Sequence, residues 1–130
     1  MNQNFSFMEK MVPLIISGRK VLTNRSATEF RGKCNVGDKM YVFTGMRTAN
    51  CKRIGTATVI ERVFWKFEQV PIVQLFSKRS PIKGLPWSRF SYRDGFDSFI
   101  DFKEYFRSHK NRDLGFYCYK FDFNVGRENK

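Results

Sequence analysis

The chain has 130 residues, 42% of them hydrophobic, and carries 24 Lys and Arg against 12 Asp and Glu, a formal charge of +12. That length suits one domain, and about two-thirds of the unfolded surface can be buried without disulfide or metal support. No apolar run approaches the ~18 residues of a membrane span, no signal-peptide pattern opens the chain, and Cys34, Cys51, Cys118 and the single His109 hold no CxxC pair and would barely supply one closed zinc site, so a cytoplasmic domain without metal or cofactor is expected.

In chain order, Phe7, Met8, Met11, Leu14 and Ile15 recur at three- and four-residue spacing and predict a helix from about Phe7 to Ser17. Pro13 should divide it into a short turn and a second helical turn, with Gly18 as the C-cap glycine. Val21, Leu22 and Thr23 predict a strand over Lys20 to Arg25. Its alternation sets Lys20, Leu22 and Asn24 on one face and Val21, Thr23 and Arg25 on the other. After the turn Asn35-Val36-Gly37-Asp38 a second strand is expected over Lys39 to Thr44. A third, long and bent, runs from Arg53 to Trp65, with Ala57, Val59, Val63 and Trp65 on one face and Thr56, Thr58 and Arg62 on the other. Gly55 suits a bulge there.

Pro71, Pro81 and Pro86 exclude a regular helix across the middle segment, which reads as a short strand around Ile72 to Phe76 followed by a basic loop through Arg93. Asp97-Ser98 then caps a helix whose apolar stripe is Phe99, Phe102, Tyr105 and Phe106. Phe116 to Phe123 alternates throughout, with Tyr117, Tyr119, Phe121 and Phe123 on one face and Phe116, Cys118, Lys120 and Asp122 on the other, Cys118 as a core thiol. The sum is an α+β domain over residues 4–125 with a frayed tail at 126–130. Its expected form is a small mixed β-barrel of five or six strands with two or three flanking helices.

The charge points to a polyanionic partner, with RNA, single-stranded or structured, leading. Three segments concentrate it. In the first, Gly18, Arg19, Lys20, Thr23 and Arg25 surround the first strand. In the second, Arg47 and Arg53 make a basic rim suited to phosphates. In the third, Lys83 and Arg89 interleave with Trp87 and Phe90, the pattern by which single strands stack bases on exposed aromatics. Each has a plainer reading: Lys20 as a phosphate contact, Thr23 as a strand former, Asp94 as a turn residue beside Gly95, Trp87 as core.

Gly18-x-Lys20-x-x-Thr23-x-Arg25 resembles the GxKxxExR signature of the ASCH family, relatives of the PUA domain. Four further blocks are similar in the same order: Val36 to Tyr41, Arg53 to Val59, Arg93 to Phe106 and Phe116 to Phe121. The resemblance implies a PUA-like β-barrel with flanking helices, a fold associated with RNA and nucleotide binding; the expected partner is RNA or a nucleoside ligand, and the expected state a monomer or weak dimer. Thr23 stands where the signature has Glu. Some small bacterial members also have Thr there and are N4-acetylcytidine amidohydrolases, and that resemblance implies Lys20, Thr23 and, where those enzymes carry Glu, Asp94 as catalytic residues. Two alternatives to RNA binding therefore stand beside it. One is a hydrolase, acting on a nucleoside amide or as a ribonuclease, and the other is a module whose basic face meets an acidic protein.

Overall fold

The computed structural model describes residues 2–27, 34–46, 48–71 and 79–123. Among these residues it is an α+β half-barrel: a curled five-stranded sheet with three α-helices. In chain order the elements are β1 (Gln3–Phe7), α1 (Val12–Ile16), β2 (Leu22–Ser26), β3 (Lys39–Thr44), β4 (Lys52–Trp65), α2 (Trp87–Arg93), α3 (Phe99–Arg107) and β5 (Phe116–Phe123). The sheet order is β1-β3-β4-β5-β2, with β1 parallel to β3 and the other pairs antiparallel.

Three differences from the sequence reading have identifiable causes. The stretch expected to open a helix at Phe7 instead ends strand β1, whose alternating Phe5 and Phe7 are buried and whose ladder comes from distant β3. The helical turns follow as expected, a 3-10 turn at Glu9–Met11 and then α1 with Pro13 in its first turn, where a missing N–H is harmless. The basic loop read through Arg93 ends in a helix, α2, because Pro86 stands at its N-cap rather than inside it. The expected strand at Ile72 to Phe76, Arg47 and the tail lie outside the described residues.

The third difference lies in β4. Val59 pairs with Phe121 but Glu61 pairs with Lys120, so Ile60 is an inserted residue that reverses the phase of the strand. Ala57 and Val59 therefore join one core and Val63 and Trp65 the other, instead of sharing a face. A second inserted residue, Ile54, sits beside Gly55, where a bulge was expected.

Two cores thus occupy the two faces of the sheet. One gathers Phe5, Phe7, Ile15, Met40, Val42, Val59, Tyr119 and Phe121, against α1. The other is aromatic and lies under α2 and α3, with Trp65 fully buried among Trp87, Phe90, Phe102, Phe106 and Phe116. Strand β5 serves both, and its alternation is as read: Phe116 and Cys118 belong to the aromatic core, Tyr119 and Phe121 to the other. Helix α3 starts where expected, with Ser98 Oγ accepting from the Asp101 N–H at 3.0 Å. Tyr105 of its predicted stripe is half exposed.

Candidate functional site

Strands β1 and β2 are the two edges of the sheet, and their seam is closed by a side chain instead of a ladder. The Arg25 guanidinium donates to the Ser6 carbonyl of β1 at 2.8 Å and lies over the rings of Phe5 and Phe7 at 5.4 and 4.7 Å. A cleft of about 970 Å³ opens at this seam and reaches both faces of β2.

Local backbone geometry carries Lys20 to the cleft. Gly18, at φ +84°, turns the chain out of α1, and the Lys20 N–H returns to the Leu14 carbonyl at 2.9 Å. The next residue, Val21, donates to the Arg93 carbonyl at 2.9 Å, which sets Lys20 against Asp94 at the C-terminal end of α2. Lys20 Nζ then donates to three oxygens: Asp94 Oδ1 at 2.6 Å, the Asp94 carbonyl at 2.6 Å and the Leu22 carbonyl at 2.7 Å. Three N–H groups meet three acceptors, the pattern of an ammonium. The cation also faces the negative end of α2.

The carboxylate is fixed from its other side by residues the sequence reading did not select. The Trp65 indole can only donate, and it donates to Asn24 Oδ1 at 2.8 Å. That orients the amide so that Asn24 Nδ2 donates to Asp94 Oδ2 at 3.0 Å. Both carboxylate oxygens therefore accept, which writes Asp94 as ionised. Asn24 was within reach of sequence reasoning, since alternation places it on the same face as Lys20. Trp65 was not, because its phase depends on the insertion at Ile60.

Lys20 and Asp94 are each 4% exposed, and Thr23 is 3% exposed. Burial pulls the Lys20 ammonium below the usual lysine value and pushes the Asp94 carboxyl above the usual aspartate value, and each partner opposes the other's shift. Thr23 lies on the opposite face of β2, as the alternation predicted. Its Oγ1 accepts from Arg25 Nε at 3.0 Å, and it lines the same cleft.

The remaining candidates divide. Arg19 lines the cleft, its guanidinium donating to the Phe96 carbonyl at 2.8 Å. Gly18 is a structural turn. Arg53, Lys83 and Arg89 are exposed and lie outside the cleft. Trp87 is 3% exposed, which corrects its expected stacking role: at the start of α2 it turns inward and packs edge-on against Trp65, with centroids 5.7 Å apart. Nor is the cleft basic, as expected. Among the described residues, Lys10, Arg19, Lys20 and Arg25 are balanced by Asp94, Asp97, Asp101 and Glu104, because α3 brings its acids to one wall. The excess positive charge lies elsewhere.

Neither a protein-family model nor a curated protein matches the chain. Solved structures do match. The hypothetical protein PH0355 superposes with a TM-score of 0.61 at 14% identity over 95% of this chain and 100% of that one. The ASCH protein of Zymomonas mobilis gives 0.54 at 14% identity over 92% of this chain and 66% of that one, and the ASCH domain of Lactobacillus crispatus gives 0.58 at 13% over 94% and 79%. The chain therefore has an ASCH-type, PUA-like fold. Among the described residues no helix is long and apolar enough to cross a membrane.

Proposed function

We propose that this chain is an RNA- or nucleotide-binding domain of ASCH type, acting in the cytoplasm as a monomer or weak dimer, and that its seam cleft receives a nucleobase. The supporting observation is the division of charge: a cleft balanced in sign, on a chain of net +12. Phe7, Met11, Phe96 and Tyr105 give that cleft apolar and aromatic walls, while Thr23 and Asn24 bring hydrogen-bonding groups. Apolar walls with a few placed polar groups suit a flat, uncharged, polar ring, and excess cations outside suit the phosphates attached to it. Retention of a labelled single-stranded RNA should fall with salt at a log–log slope of roughly −0.7 for every phosphate engaged. No retention at low salt, or a flat salt response, overturns the reading.

A second reading, hydrolysis, is favoured by one arrangement: a buried Lys20–Asp94 pair at 2.6 Å in the same cleft as a threonine hydroxyl. Arg25, donating to Thr23 Oγ1, would stabilise the negative charge that develops there as Thr23 attacks an amide carbonyl and its hydroxyl proton passes to the amide nitrogen. The C–N bond would then break, the amine leaving with that proton, and water would release the acyl group. Lys20 would act by keeping Asp94 ionised, since all three of its N–H groups are engaged. On this reading the wild type turns over N4-acetylcytidine or cleaves RNA, and Lys20→Ala abolishes it. Activity that persists in Lys20→Ala removes Lys20 from the chemistry.

A further inference from the structure

With Trp87 and Phe90 turned into the aromatic core, α2 presents Arg89, Tyr92 and Arg93 on its other side. Tyr92 is 41% exposed, and two guanidiniums lie over its ring, Arg19 at 4.2 Å from the centroid and Arg89 at 5.4 Å. One ring therefore holds two like charges at most about 10 Å apart, within the Debye length at 0.1 M salt. Arg93 joins them, its guanidinium reaching the Gly18 carbonyl at 3.4 Å. Among the described residues the only acid ion-paired with this ridge is Asp97, 90% exposed and 3.4 Å from Arg19, and neither Arg89 nor Arg93 forms a salt bridge. Arg19 belongs both to this ridge and to the wall of the cleft.

Guanidiniums packed on a ring are partly ordered before any ligand arrives, and their planar donor forks match phosphate oxygens. We infer that the ridge of Arg19, Arg89 and Arg93 on Tyr92 is the track for the backbone phosphates of a single RNA strand whose base enters the seam cleft. The ligand is then a nucleoside carried in a strand, not a free one. This rests on the RNA-binding reading above and adds the path of the strand and the residues that hold it. It also restores an exposed aromatic flanked by cations to the segment where the sequence pattern suggested one, with Tyr92 in place of Trp87.

The test measures binding of labelled oligouridylate, with uridine monophosphate and polyglutamate as competitors, to the full chain and its variants. Arg89→Ala and Tyr92→Leu should each weaken strand binding about 5-fold, and Arg89→Ala should lower the magnitude of the salt slope by about 0.7, with the melting temperature unchanged. Tyr92→Phe, which keeps the ring, should bind as the wild type does. Lys66→Gln, the same loss of charge outside the ridge, should leave affinity within 2-fold, and the monophosphate should compete far more weakly than the strand. Wild-type strand binding that Arg89→Ala and Tyr92→Leu leave unchanged overturns the ridge and spares the RNA-binding reading. Absence of wild-type strand binding overturns that reading itself. Polyglutamate competing as well as the strand assigns the ridge to an acidic protein and overturns the RNA track.

Discussion

Asp94→Ala should destabilise the protein by about 3–5 kcal/mol in urea unfolding, the cost of leaving a buried charge without its partner. The double variant Lys20→Met/Asp94→Leu should recover part of that loss, since two apolar side chains of similar volume remove the charges together. Recovery stays incomplete because Asn24 Nδ2 then has no acceptor, and an unmet buried donor costs about 1–3 kcal/mol. The pH dependence has an unusual sign. Burial raises the folded-state value of Asp94 above its unfolded 3.8, so in that window the native state keeps a proton the unfolded chain has released, and stability falls as pH rises. Burial lowers the folded-state value of Lys20 below its unfolded 10.5, so in that window the unfolded chain holds the extra proton, and stability rises with pH. The stability of the wild type minus that of the double variant should therefore pass through a minimum near neutral pH. A maximum there would mean that attraction within the pair outweighs its desolvation.

The same pair separates what the sequence makes legible from what it does not. Strands β3 and β5 and helix α3 follow from local rules, because alternation, a serine N-cap and a three- and four-residue stripe each involve neighbours only. Strand β1 escapes those rules because its partner is β3, thirty-seven residues away along the chain. The phase of β4 escapes them because one inserted residue, invisible in composition, exchanges its faces. Within the site, Lys20 and Asp94 are recognisable by resemblance and Asn24 by alternation, but the closing of the seam by Arg25 requires the sheet to curl until its edges meet. Arg25 reads as a cation available to RNA, yet its guanidinium is engaged by Ser6, Thr23 and two aromatic rings. A count of charges does not distinguish a cation that binds a ligand from one that closes a barrel.

Trp65→Ala should cost about 3–5 kcal/mol, since it empties the centre of the aromatic core. The more informative change is Trp65→Phe, which keeps a ring against Phe102 and Phe116 and removes the indole N–H together with the rest of its five-membered ring. The acceptor left unmet on Asn24 should cost about 1–3 kcal/mol, and the small cavity adds to it. The substitution's second effect reaches the cleft. Without the indole donor only Asp94 itself holds the Asn24 amide in place, and a carboxylate whose donor is less firmly fixed titrates higher. The Asp94 carboxyl followed by ¹³C NMR should therefore titrate higher in Trp65→Phe than in the wild type, and Asn24→Leu should reproduce the shift with every ring of the aromatic core retained. If Trp65→Phe destabilises the fold while Asp94 titrates as before, Trp65 is core alone. If both change together, the aromatic core and the cleft are coupled through one amide, and the buried tryptophan helps set the charge state of a carboxylate on the other side of β2 from Thr23.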